Sequence, residues 1–178
     1  MRAFIALDIP QALREDVVAL ARQLKTAVKG RFVPRENYHV TIAFLGDVIE
    51  RELADAMLAL DEAASRFDPV ELTPDGLGKF GRANDATLWL GFAQDPKLME
   101  LAAFVRAGLD DAGVNYDSKP FLPHLTIARR AALDHGMLPA LPFPAPAHTG
   151  ELSLFKSTLT GDGAIYEPVY TVQLCADV

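Results

Sequence analysis

Two short stretches of this chain repeat each other: His39-Val40-Thr41-Ile42-Ala43 and His124-Leu125-Thr126-Ile127-Ala128, about 85 residues apart. That period is too long for a solenoid and suits two related lobes. The flanks extend the repeat. Phe4 to Asp8 reads as a short apolar strand ended by Pro10. From Pro10 to about Val28, Leu13, Val17, Leu20, Ala21, Leu24 and Val28 fall at helical spacing, and Gly30 sits where a helix stop is expected. Arg31 to Pro34 then leads into Asn37 to Gly46, a strand rich in β-branched and aromatic residues. The same order returns later. Thr87 to Phe92 reads as a strand, Asp95-Pro96 opens a helix through Leu98, Leu101, Ala102, Val105 and Leu109, and Gly113 ends it. Lys119 to Pro123 leads into the second motif. Ile5 to His39 and Leu90 to His124 are the same step of about 34 positions, which aligns the two halves.

Each half has an afterpart. Arg51 to Phe67 reads as a helix and Val70 to Phe80 as a strand containing Gly76 and Gly78. Met137 to Pro146 is proline-rich and reads as a loop, and Glu151 to Leu159 and Tyr166 to Leu174 read as closing strands around Gly161-Asp162-Gly163. Strand-helix-strand order predicts α/β or α+β architecture. No linker is long or polar enough to part the halves, so residues 1–178 are expected to form a single domain of two interleaved lobes sharing one active-site cleft.

The chemistry lies in the repeated tripeptide. In a strand, residues i and i+2 project from one face, so His39 points with Thr41 and His124 with Thr126. Val40, Ile42, Leu125 and Ile127 point the other way, where they can bury apolar surface. A lone histidine on a strand is usually a hydrogen-bonded structural residue. This chain has only four, and two carry Thr two, Ile three and Ala four positions on, in matching places of the repeat. Two imidazoles on opposite sides of one phosphorus suit an in-line displacement: one takes a proton from water, the other protonates the leaving oxygen, both near neutral pH. The threonine hydroxyls suit donation to non-bridging phosphate oxygens. His135 and His148 lack this setting and read as surface or loop residues.

Composition narrows the possibilities. The net charge of −7 does not favour a dedicated nucleic-acid binder with a basic face, although Lys29, Arg31, Arg35, Lys119, Arg129 and Arg130 supply local positive charge. The single cysteine, Cys175, excludes an intrachain disulfide and a cysteine metal cluster. Asp8 and Pro10 interrupt the N-terminal apolar stretch early, and no run is long enough to span a membrane, so the expected location is the cytoplasm.

With these residues in view, the sequence resembles the RNA 2′,3′-cyclic phosphodiesterases, also called 2′-5′ RNA ligases, of the two-histidine phosphoesterase superfamily. The matching stretches are Arg2 to Asp8, Asn37 to Gly46, Gly76 to Phe80 with Leu88 to Gly91, Pro120 to Arg129, and Ser157-Thr158-Leu159 followed by Gly163 and Tyr166. The resemblance implies a bilobal α+β fold with pseudo-twofold internal duplication and antiparallel sheets around a central cleft. It implies conversion of RNA 2′,3′-cyclic phosphate ends to 2′-phosphomonoesters without a metal or other cofactor, and reversible 2′-5′ ligation. It makes His39 the proton donor and His124 the proton acceptor, and it makes Arg129 a phosphate-binding residue beside Thr41 and Thr126. The implied partners are RNA ends or oligonucleotides carrying a 2′,3′-cyclic phosphate, with no membrane and no obligatory protein partner.

Three other readings compete. One is an enzyme of the same superfamily acting on small cyclic nucleotides or 2′-5′ oligonucleotides. Another is a metal hydrolase with His39 and His124 as ligands, weakened because neither motif places a second histidine or a carboxylate at i+2 or i+4 on the same face. The third is a non-catalytic nucleotide- or RNA-binding module.

Overall fold

The computed structural model describes residues 1–133, 138 and 145–176. Two four-stranded antiparallel sheets carry the repeat. In the first, β1 (Arg2–Asp8) pairs with β3 (His39–Asp47) and with β9 (Glu151–Thr160), which pairs onward with β10 (Gly163–Gln173). In the second, β6 (Asp85–Phe92) pairs with β5 (Pro74–Arg82) and with β7 (His124–Leu133), whose other edge takes β2 (Val28–Phe32). A two-stranded ribbon joins β4 (Val70–Leu72) to β8 (Ala147–Thr149). The helices are α1 (Gln11–Leu24), α2 (Glu50–Arg66) and α3 (Pro96–Ala112), with one 3-10 turn over Arg35–Asn37. The architecture is α+β. No helix among the described residues is long and apolar enough to cross a membrane.

Local signals explain most of these elements. α1 buries Leu13, Val17, Leu20, Ala21 and Leu24, the stripe its spacing predicts. α3 starts at Asp95, whose carboxylate accepts from the backbone N–H groups of Lys97 and Leu98, and Pro96 fills the first helical position. It stops at Gly113, which takes the left-handed conformation at φ 72°. On the strands, alternation holds as expected. Val40, Ile42, Leu125 and Ile127 are fully buried, packed in one core with Ile5, Leu7, Leu88 and Leu90.

Three expectations change. The first helix ends at Leu24, not near Val28. Val28 begins β2, and Gly30 lies inside that strand, where a Cβ would come 3.0 Å from Ala131 Cα. The pairing that makes β2 a strand comes from β7, a hundred residues away, so local periodicity does not see it. The segment Val70 to Phe80 divides into β4 and β5 at Thr73. The halves are offset from the equal-step alignment: Thr41 faces Ala6 across the ladder, whereas Thr126 faces Trp89 rather than Gly91. The offset is two residues, an even number, which keeps both histidines and both motif threonines on their expected face. The halves also exchange strands: β2 from the first half enters the second sheet, and β9 and β10 from the second half enter the first. Most of the loop expected over Met137 to Pro146, and His135, lie outside the described residues.

Candidate active site

The sheets meet along β3 and β7, so the two motifs share one cleft. His39, Thr41, His124 and Thr126 all line it, and its volume is about 1260 Å³. Each motif strand carries a bulge at the same place. Ala43 pairs with Ile5 and Thr41 with Ala6, leaving Ile42 over; Ala128 pairs with Leu88 and Thr126 with Trp89, leaving Ile127 over. An extra residue restarts the alternation. In β3 it brings Phe44 to the cleft beside Thr41.

The hydrogen bonds fix how each imidazole is presented. His39 Nδ1 lies 2.6 Å from the Asn37 carbonyl oxygen, and His124 Nδ1 lies 2.6 Å from that of Leu122. A carbonyl only accepts, so both Nδ1 atoms carry hydrogen and donate. Both Nε2 atoms are thereby left for the chemistry, bare in the neutral ring and protonated in the cation. At His39, Nε2 lies 2.9 Å from Thr41 Oγ1. With the ring neutral, Thr41 donates to it. No corresponding bond joins His124 to Thr126.

The rings also differ in their walls. His39 sits against Phe4 at 4.9 Å and makes a T-shaped contact with Tyr166 at 5.3 Å, and Phe4 stacks on Phe155. His124 meets Phe80 edge-on at 5.3 Å and Trp89 at 5.9 Å, and Phe80 is itself exposed. Burial pushes the His39 pKa down from 6.5 to about 4. The positive charges of Arg129 and His124 push the same way, and the bond to the Asn37 carbonyl opposes them. His39 is therefore neutral at pH 7.

Charge is concentrated here despite the acidic chain. Among the described residues, Arg2, Arg31, Arg106, Lys119, Arg129 and Arg130 line the cleft, against only Asp117 and Asp162. A cleft lined with one sign focuses its field on an incoming anion. Of the cations expected from sequence, Arg31, Lys119, Arg129 and Arg130 are in the cleft. Arg35 instead pairs with Glu15, and Lys29 does not line the cleft. His148, as expected, is a surface residue, 3.6 Å from a Glu71 carboxylate oxygen.

Sequence reasoning did not single out Arg2, Arg106 or the aromatic walls. Arg2 was legible, since it shares a strand face with Phe4. Arg106 was not, because α3 reaches the cleft only through the tertiary fold. Its Nε donates to the Ile42 carbonyl at 2.9 Å and its terminal nitrogen to the Lys119 carbonyl at 2.8 Å. The Asp117 N–H also donates to the Phe44 carbonyl. These bonds fasten the loop leading to His124 onto the strand that carries His39. Among the described residues, no group of three His, Cys, Asp or Glu side chains could hold a metal ion.

The same architecture recurs in known proteins. The Methanocaldococcus jannaschii RNA 2′,3′-cyclic phosphodiesterase is 32% identical over 178 residues, covering 95% of this chain and 98% of the relative. The Escherichia coli RNA 2′,3′-cyclic phosphodiesterase is 31% identical over 170 residues, covering 94% of this chain and 93% of the relative. The crystal structure of Escherichia coli LigT complexed with 3′-AMP superposes with a TM-score of 0.82 at 28% identity, covering 97% of both chains. The sequence pattern of one family, described as the 2′-5′ RNA ligase superfamily, matches residues 9–158. Carrying that pattern over most of its length, this chain belongs to the 2′-5′ RNA ligase superfamily.

Proposed function

We propose that the protein hydrolyses 2′,3′-cyclic phosphate ends of RNA to 2′-phosphomonoesters, with His39 and His124 as the proton-transfer pair. The observation that carries this reading is the pair of Nε2 atoms, each freed by an Nδ1–H bond to a carbonyl, facing one cation-lined cleft. His124 Nε2 takes a proton from water as the water oxygen attacks phosphorus. The bond from phosphorus to the ribose 3′ oxygen breaks, and His39 Nε2–H protonates that oxygen. Thr41 and Thr126 donate to the non-bridging oxygens, and Arg129 holds the phosphate charge.

The low His39 pKa is compatible with its role as acid because the substrate is an anion. Phosphate placed against the ring favours the imidazolium, opposing the burial that keeps the ring neutral. When Nε2 engages the phosphate, the Thr41 hydroxyl is released from it and is free to donate to phosphate oxygen. A 5′-hydroxyl in place of water would make the same displacement yield a 2′-5′ linkage, and the reverse would cleave one. The relatives' names and the 3′-AMP held by one of them support a nucleotide bearing a ribose phosphate as ligand. We place the activity in the cytoplasm, on RNA ends left by cleavage.

The test is incubation with a cyclic-ended oligoribonucleotide in EDTA, with the product identified. A 2′-phosphate is expected. A 3′-phosphate would reverse the leaving oxygen, and loss of activity restored by added metal would replace the mechanism. Tight binding without turnover would make the protein a binding module. Faster turnover of a cyclic mononucleotide than of the oligonucleotide would move the substrate to small cyclic nucleotides.

A further inference from the structure

The ladder between β2 and β7 sets Arg31 directly opposite Arg129. Both line the cleft. Like charges directly opposite one another on a sheet are destabilising. Among the described residues no carboxylate comes within ion-pair distance of either, although Arg130 has Asp85 at 3.3 Å and Arg35 has Glu15. The backbone beside the pair is strained as well. Lys29 faces Ala132 and Arg31 faces Arg129, so β7 carries one residue too many between them. The bulge is completed by Arg130 at φ 52°, the only non-glycine residue with positive φ among those described. Gly30 accommodates it, since a Cβ there would meet Ala131 Cα at 3.0 Å and the Arg129 carbonyl at 3.1 Å. In an unbroken strand Arg129 and Arg130 would point to opposite faces; here both reach the cleft. An unneutralised cation pair held by a strained bulge calls for an anion that completes it.

The reacting phosphate does not account for both arginines. Arg129 lies close enough to His39 to lower its pKa, which puts Arg129 beside the reaction centre. Arg31 stands one strand further out, on the edge strand β2, beyond the strand β7 that carries His124 and Arg129. Neighbouring strands are about 4.8 Å apart, and two long side chains diverging from them can meet successive phosphates of one strand. We propose that Arg31, paired across the ladder with Arg129, binds the phosphodiester on the 5′ side of the terminal nucleotide. The cleft then reads an RNA chain rather than a free cyclic mononucleotide. This rests on the function proposed above and adds a subsite to it.

A two-by-two comparison tests it. Wild type and Arg31→Gln are assayed on a dinucleotide ending in a 2′,3′-cyclic phosphate and on the same dinucleotide with a neutral methylphosphonate linkage. Removing either charge alone should lower kcat/KM about tenfold, and removing both should cost no more than removing one. The dependence of log KM on log salt for the natural dinucleotide should flatten by about 0.7 in Arg31→Gln, the share of one single-strand phosphate contact. The thermal midpoint of Arg31→Gln should equal or exceed that of wild type, because a like-charge pair has been relieved. Additive losses would overturn the proposal by assigning Arg31 to the reacting phosphate or the fold. Absence of loss on the natural dinucleotide would make it a solvated surface charge. Failure of wild type on both dinucleotides would instead remove the cyclic phosphodiesterase reading and this subsite with it.

Discussion

The two histidine sites share a backbone and differ in everything laid over it. Both rings donate from Nδ1 to a carbonyl two residues back, and both strands bulge at the isoleucine three residues on. The first ring is closed in by Phe4 and Tyr166, tied to Thr41 and kept neutral by burial. The second stands against exposed Phe80 and tilted Trp89, without a bond to its threonine. Two things make the difference: β10 brings Tyr166 to the first site, and the halves are offset by two residues. Under Thr41 the ladder offers Ala6, and under Thr126 it offers Trp89. A duplicated strand supplies two equivalent proton carriers, and the neighbours it pairs with make them unequal. That inequality suits a reaction that needs an acid on one side and a base on the other.

The largest expected effect separates those roles. Replacing either histidine by alanine should lower kcat/KM by about 10²–10⁴ on the natural cyclic phosphate. With sulfur at the bridging 3′ position, the departing thiolate needs little protonation. His39→Ala should then recover most of its loss, normalised to wild type on the same substrate, while His124→Ala stays slow. Rescue of His124→Ala alone would exchange the two roles. Rescue of neither would mean that both rings only position or neutralise phosphate.

Next come the threonines. Thr41→Val and Thr126→Val keep the strand shape and should each cost about 2–4 kcal/mol of transition-state stabilisation, the range for losing one such donor. Only Thr41→Val should also alter the His39 titration, followed by NMR, because only Thr41 touches its ring. Equal shifts of His39 in both variants would erase the distinction between the sites.

A smaller effect lies in stability. A histidine whose folded pKa is about 4 against about 6.5 unfolded binds its proton more readily in the unfolded chain. Its penalty is therefore absent above pH 6.5, grows as pH falls, and is complete by about pH 4. Relative to His39→Gln, the wild type should lose about 3 kcal/mol over that window, measured by urea unfolding at successive pH values. A difference that stays flat from pH 7 to pH 4 would mean that His39 is not held neutral by burial.

How far this could be read in advance depended on distance along the chain. The motif faces, the Asp95 cap and the Gly113 stop follow from residues within one turn or two strand positions, and all were legible. Gly30 misled because its role is set by Ala131, which packs on it across a ladder formed between the halves. The aromatic wall of His39 mixes residues 4, 155 and 166, brought together because β9 and β10 return to the first sheet. The cation pair at Arg31 and Arg129 was visible only as scattered charge until the register aligned it.

Arg106 offers the finest test of the comparison, because it touches neither ring yet joins the strands that carry them. Its guanidinium bridges the Ile42 carbonyl, next to Thr41, and the Lys119 carbonyl, on the loop that ends at His124, and it also packs over Tyr116 and Phe121. Lysine keeps the charge but has a single donor head, so Arg106→Lys cannot hold both carbonyls in one plane. The distance between the two Nε2 atoms would then be less tightly fixed, and in-line transfer depends on both being in reach at once. Roughly tenfold loss is expected in kcat with KM little changed, since the phosphate-binding arginines remain. The thio substrate sharpens the reading: a variant that misplaces the acid relative to the base should lose less where the acid is dispensable. Equal loss on both substrates, or a raised KM at unchanged kcat, would make Arg106 a phosphate-binding cation rather than a brace between the two sites.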